Sequence, residues 1–170
     1  MEIKHCTNGD IDIIFELFDA ATAHQKTVAT KHWLGFERSL IEEDIADKRK
    51  FKIVQDGQIA CVFAITHNDA HIWGKEADAQ PAVYIHRIAT NPAFRGHSFV
   101  KTIVAWAKDF SKANHRDFIR MDTGGGNDKL NNYYISCGFD YLGLRQLGDV
   151  LELPAHYRNG SSALFEIKVV

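Results

Sequence analysis

The stretch from Ala82 to Phe110 constrains this chain more than any other: AVYIHRIAT, then NPAFRGHS, then FVKTIVAWAKDF. The first segment is almost continuously apolar or β-branched apart from His86 and Arg87, which suits a central strand covered on both faces. Asn91-Pro92 stops it, because proline has no N–H for a ladder and biases its predecessor away from helix. From Phe99 onward Val100, Ile103, Val104, Ala107 and Phe110 recur at the spacing of one helical face. Arg95-Gly96-His97-Ser98 lies between strand and helix. A helix N-terminus leaves its first N–H groups unpaired and carries partial positive charge, so beside Arg95 this turn can cradle a pyrophosphate. The competing reading is a strand-turn-helix unit that binds nothing.

The rest of the chain fits a single domain over residues 1–170. Lys plus Arg number 20 against 22 Asp plus Glu, so there is no electrostatic footprint for nucleic acid. No long apolar span or signal peptide is seen, and three scattered cysteines (Cys6, Cys61, Cys137) fit a reducing cytoplasm better than a disulfide scaffold. No membrane partner is expected.

In chain order, residues 1–6 read as a short edge strand, and Asn8 or Asp10 caps a helix with a stripe of Ile11, Ile14, Phe15, Phe18 and Ala21. Residues 22–32 read as loop. Trp33, Phe36, Leu40, Ile41 and Ile45 suggest a second helix ending near Lys48. Two apolar runs joined by Asp56-Gly57 make a hairpin. Residues 67–80 read as loop with a short strand near Trp73. After the central strand and helix, residues 117–122 form a strand parallel to its βαβ partner. Thr123 to Gly126 is a turn, Asn127 or Asp128 caps a helix over 129–136, and Gly138 closes it. Residues 139–144 and 163–170 pair as a terminal hairpin, joined by a long loop of the kind that carries function. The order β-α-α-β-β-β-α-β-α-β-β predicts an α/β fold with a mixed sheet of six to seven strands and about four helices.

This order, together with two local signatures, resembles the GNAT superfamily of acyl-CoA-dependent N-acetyltransferases. The first signature is the pyrophosphate loop, here Arg95-Gly96-His97-Ser98-Phe99-Val100; the second is Asn127-Asp-Lys-Leu130-Asn-Asn-Tyr-Tyr134-Ile-Ser-Cys-Gly138-Phe139. Ser98 stands where the family usually has Gly, and Val100 where it has Gly or Ala. A Cβ at either place takes room from the ligand. Ser98 is small enough to be tolerated, while Val100 either pushes the loop outward or turns into the core.

The resemblance implies acetyl-CoA as cofactor and transfer of its acetyl group to a primary amine, by direct attack through a tetrahedral intermediate. It implies a small-molecule or amino-acid-like acceptor and a homodimer. Ile88 and Thr90 on the central strand, Arg95 to Val100 in the loop, Asn127 and Tyr134 would hold the cofactor. The Ile88 N–H would stabilise the oxyanion, and Tyr134 would protonate the leaving thiolate. Packing of Tyr134 as a core aromatic is the plain alternative. For the general base the candidates are His86, Asp122, Glu152 and His156, or a water chain with no dedicated base. A hydrogen-bonded core histidine and a turn-capping aspartate compete for the first two. Trp33, Phe36, Trp73, His156 and Tyr157 fall in the regions that wall the acceptor pocket in similar proteins, with aromatic core filling as the default for each. His67 and His71 lack a third ligand, so no metal is expected. Cys137 reads as a buried thiol, and Arg87 as a structural ion-pair former. The rival function on the same fold is a non-catalytic acyl-CoA-binding or sensing domain.

Overall fold

Asp56 and Gly57 both take left-handed backbone, with φ of 51° and 74°, the geometry a two-residue hairpin turn demands. They join β2 (Lys50–Gln55) to β3 (Gln58–Thr66). The computed structural model describes residues 1–148, 151, 153 and 155–169. These fall into two compact units that share β4 (Ala82–Thr90): Met1–Ile65 with His86–His97, and Thr66–Ile85 with Ser98–Val170.

In the first unit β1 (Glu2–His5) pairs antiparallel with β2, Ile3 opposite Ile53, and β2 pairs antiparallel with β3. The end of β4 lies beside β3, where Asn91 donates from its backbone N–H to Ala60 O (2.8 Å) and from its side chain to Ile59 O (3.0 Å). Helices α1 (Ile11–Val28) and α2 (Arg38–Ala46) cover this sheet, burying Ile14, Leu17, Phe18 and Ile41 with Val62 and Ala89. Two expectations need correction. The segment 22–28, read as loop, continues α1, because Ala, Gln and Lys are good helix formers even where no apolar stripe marks them. The second helix starts at Arg38, not Trp33, since Gly35 has φ 105° and breaks any helix there. Trp33 and Phe36 therefore stand on the connection between α1 and α2.

The second unit orders its strands β4-β5-β7-β6, with β5 (Phe118–Gly124), β6 (Asp140–Gln146) and β7 (Ser161–Lys168). β4 and β5 are parallel, Ala82–Ile85 against Phe118–Met121, and β7 is antiparallel to both neighbours. The segment read as loop and strand near Trp73 instead forms two one-turn helices, α3 (Ala70–Trp73) and α4 (Lys75–Asp78), parted by Gly74 at φ 82°. They are held by the buried Arg120, whose guanidinium donates to Ala77 O (2.6 Å), Gln80, Tyr84 Oη (3.1 Å) and Glu166 (2.8 Å). Helices α5 (Phe99–Ala113) and α6 (Asp128–Ser136) complete the unit. The class is α/β with mixed strand pairing, as expected, and the two extra helices bring the described number to six.

Candidate functional site

β4 is interrupted at Arg87, a non-glycine residue with φ 51° in mid-strand. Its parallel pairing with β5 ends just before this point, at Ile85 opposite Met121. A left-handed residue inside a strand is the signature of a bulge, which frees backbone groups from the ladder; Ile88 and Thr90 follow it. Thr90 donates its hydroxyl to Cys61 Sγ (3.8 Å). The strand ends at Thr90, and the side chain of Asn91 caps a short 3-10 turn by accepting from Ala93 N (3.0 Å). Phe94 is buried and anchors this turn, leaving Arg95, Gly96 and His97 exposed.

Gly96 (φ 88°) and Ser98 (φ 53°) are both left-handed, and Ser98 is the N-cap of α5. Such turns gather successive N–H groups into an anion-binding concavity. No acidic side chain sits in the first turn of α5, so that turn itself carries no charge opposed to an anion. A Cβ placed on Gly96 would meet nothing within 4 Å, so the turn is open on that side. Phe99 and Val100 are buried, at 3% and 7% exposure. Of the two expectations for Val100, the turn into the core is the one observed. An exposed Arg95 three residues before the Ser98 N-cap, with a helix N-terminus following, has the donor chemistry that suits a pyrophosphate.

The second unit holds Asp122, Asn127 and Tyr134. Asp122, on β5, accepts from Ser162 Oγ (3.0 Å) and from the Tyr157 hydroxyl. Burial outweighs these two donors and pushes its pKa up to about 6. Asn127 caps α6 by accepting from Leu130 N (3.1 Å), which leaves its NH2 group as the donor. Gly125, between Asp122 and Asn127, is dictated by packing: a side chain there would run into Ser161 Oγ and the Leu144 side chain. Tyr134 is half-buried, its ring edge-on to Phe165 at 5.2 Å and tilted on Tyr133 at 5.7 Å. Trp73 is 4% exposed and packs on Tyr84, while His156 lies against Tyr157 at 4.7 Å. Glu152 lies outside the described residues. His67 and His71 are exposed, and the His67 ring stacks on Phe110.

The first unit holds His86 and a polar cluster in which Arg87 is the ion-pair former expected from the sequence, while Lys50 and Asp44 were missed. Burial, reinforced by the charges of Arg87 and Lys50, drives the His86 pKa down to about 3, so its imidazole is neutral at physiological pH. Lys50 is fully buried, its Nζ 4.6 Å from the centroid of Phe18, and burial with the Arg87 charge lowers its pKa to about 7. Asp44, 1% exposed, accepts from Arg87 and from Arg49 (3.2 Å). Phe18, Trp33 and Phe36 form an aromatic triad with centroids 5.2 to 5.6 Å apart. A lysine opening a strand next to a turn ordinarily reads as solvated; only its position beside buried Phe51 hinted otherwise.

The profile of the Acetyltransferase (GNAT) family matches residues 17–139, and this chain belongs to that family. The N-acetyltransferase YesJ of Bacillus subtilis (strain 168), itself uncharacterized, is 24% identical over 97 residues, 55% of this chain and 53% of that protein. The matched region thus spans about half the length of this curated relative. A GNAT-family acetyltransferase from Listeria monocytogenes 4b F2365 has the same fold, with a TM-score of 0.76 at 23% identity over 98% of this chain and 94% of its own. The yncA structure from Salmonella typhimurium, determined with its cofactor acetyl-CoA, superposes with a TM-score of 0.70 at 12% identity, covering 100% of this chain and 94% of its own.

Proposed function

We propose that this chain is an acetyl-CoA-dependent N-acetyltransferase for the primary amine of a small or amino-acid-like acceptor, with residues 1–170 acting as one catalytic domain. The observation that carries the reading is the left-handed turn from Gly96 to Ser98, which feeds the α5 N-terminus beside the exposed Arg95. Arg95 and the turn amides from Gly96 to Val100 bind the pyrophosphate, and the Asn127 NH2 group binds the pantetheine arm. Bound acetyl-CoA supplies an activated acetyl thioester. The Ile88 N–H, next to the bulge at Arg87, donates to the developing oxyanion, as a fixed dipole does without reorganising. The Tyr134 hydroxyl donates its proton to the departing thiolate.

Asp122 is the better base. A neutral His86 whose conjugate acid titrates at about 3 holds a proton too weakly at neutral pH, whereas a carboxyl at about 6 is matched to the task. Tyr157 belongs to the acceptor side through its hydrogen bond to Asp122; Trp33, Trp73 and His156 are assigned there only by the family resemblance. Three buried free thiols support a reducing compartment, the cytoplasm, and among the described residues no helix is long and apolar enough to cross a membrane. The exposed apolar residues Tyr141, Leu142 and Leu144 of edge strand β6 support a homodimer.

Calorimetric titration with acetyl-CoA, followed by an amine screen with thiol release as readout, tests this. Binding near ~10⁻⁶ M is expected, weakened sharply by Arg95→Ala. Tyr134→Phe should keep that binding and lose roughly 10²-fold or more in kcat. Absence of binding up to millimolar acetyl-CoA would sink the proposal, and binding without turnover on any amine would mark a sensing domain instead.

A further inference from the structure

Lys50 is wholly enclosed at the start of β2, and its Nζ has no hydrogen-bond partner among the described residues. Arg87 Nε is likewise buried and unpartnered, although the same guanidinium is committed to Asp44 through Nη2. The charges around them do not cancel. Asp44 is shared between Arg87 and Arg49, and Arg49 also reaches Asp47 at 2.9 Å. Among the described residues, two carboxylates therefore answer three cations when Lys50 is protonated. A buried ammonium without an acceptor is costly, and native interiors rarely leave such a donor unsatisfied.

What covers the two donors is aromatic. Lys50 Nζ faces the Phe18 ring at 4.6 Å, and the Arg87 guanidinium lies 5.9 Å from the centre of Phe36. Ring faces are weak partners beside an oxygen anion. Phe36 and Trp33 stand on the irregular connection between α1 and α2, with Gly35 at φ 105° between them. That connection supplies two of the residues assigned by resemblance to the acceptor wall. The Arg87 donor thus lies near Phe36 of the acceptor wall, and the Lys50 donor lies under Phe18 of α1, which packs on both Trp33 and Phe36.

We propose that Lys50 and Arg87 form an anion-reading subsite, so that the amine acetylated by this chain also carries a carboxylate. The inference rests on the acetyltransferase reading above and names its substrate class. The carboxylate accepts from Lys50 Nζ and Arg87 Nε, with Phe36 displaced as its loop pivots at Gly35. The acceptor's negative charge then completes the balance of the cluster. Its arrival holds Lys50 in the protonated state, which burial and Arg87 otherwise disfavour.

The test uses matched acceptors: α- and ω-amino acids and their carboxamides, with thiol release from acetyl-CoA. The acid is expected to exceed its amide by roughly 10-fold or more in kcat/KM, the size of one buried charge-assisted hydrogen bond. Lys50→Met should collapse that ratio toward one, through KM for the acid rather than kcat. Equal rates for acid and amide, or a parallel loss of both in Lys50→Met, would overturn the subsite. A second readout needs no turnover: the Lys50 Cε resonance in [13C]lysine-labelled protein, assigned by its loss in Lys50→Met, is followed as the amino acids are added with CoA. A shift with acids and none with amides supports the proposal. No shift up to roughly 10 mM acid overturns it even where acetylation is observed. Failure to bind acetyl-CoA counts against the acetyltransferase reading alone, and the resonance then decides the subsite with the acids added by themselves.

Discussion

The Arg87 guanidinium closes on the Asp44 carboxylate across 43 positions of sequence, joining the strained bulge of β4 to the last turn of α2. The carboxylate is 1% exposed, so it acts where water screens least. It is also the anion common to Arg87 and Arg49. Asp44→Asn leaves those cations and Lys50 without it, and removal of one partner of a buried pair costs about 3–5 kcal/mol. Urea unfolding should show that loss. In the double variant Asp44→Asn/Lys50→Met, part of it should return, by more than about 0.5 kcal/mol beyond additivity. Strict additivity would mean that Lys50 does not sense this cluster.

Lys50 also sets a pH dependence of stability. Its pKa falls from 10.5 to about 7 on folding, so below pH 7 it is protonated in both states and the native state bears a buried ammonium. Above pH 7 the native state sheds the proton first, and the unfolded chain binds more protons. Stability therefore rises with pH in this window, by up to about 1.4 kcal/mol per unit. The slope is best read between pH 7 and about 8.5, because Cys6 and Cys61, pushed up by burial from 9 to about 12, act in the opposite sense once unfolded thiols ionise. Lys50→Met should flatten the slope and be more stable than the parent at pH 6. A less stable Lys50→Met at pH 6 would show that the native ammonium already has an acceptor.

The strand-turn-helix from Ala82 to Phe110 was legible because each of its parts obeys a local rule: a continuous apolar run, a proline stop, a helical stripe. The α6 cap at Asn127 and the closing Gly138, with φ 104°, were legible for the same reason. Polarity misled at both ends of the connection between α1 and α2. Periodicity detects only half-buried helix, so the exposed last turns of α1 went unseen, and Trp33 and Phe36 looked like a stripe although Gly35 breaks the helix between them. The ion-pairing role of Arg87 was legible, but the burial of Lys50 and of Asp44, the partner of Arg87, was hidden for a different reason. Their partners lie far apart in sequence, and no local pattern marks a charged residue as buried.

Ser98 carries strain that a single change can release. An L-residue in the left-handed region costs roughly 1–2 kcal/mol, and Ser98 sits there with φ 53° and ψ 45°. Ser98→Gly removes the Cβ penalty but loses up to about 1 kcal/mol to chain entropy. The net expectation is a gain of under about 1 kcal/mol, seen as a rise in Tm of roughly 2 °C. Removing the Cβ should also let a pyrophosphate approach the turn more closely, tightening acetyl-CoA binding in calorimetry. Weaker binding by Ser98→Gly would show that the hydroxyl itself donates to phosphate.

Asp122 as base fixes the acidic limb of the pH–rate profile. The carboxylate must be ionised to take the amine proton, so kcat/KM should fall as pH drops through about 6. Burial raises that pKa, and the Ser162 hydroxyl at 3.0 Å lowers it. Ser162→Ala should therefore move the limb to higher pH. Asp122→Asn should remove the limb and cost roughly 10²–10⁴-fold in rate. It should also stabilise the fold at pH 7: a carboxyl whose pKa rises from 3.8 to about 6 on folding favours the native state fully below 3.8 and loses that contribution as pH rises through 6. More stable but inactive is the signature of a strained catalytic group. His86, held near 3, predicts a limb far lower, so His86→Gln should leave the limb near 6 in place. A limb that survives Asp122→Asn and vanishes in His86→Gln would transfer the role to the imidazole.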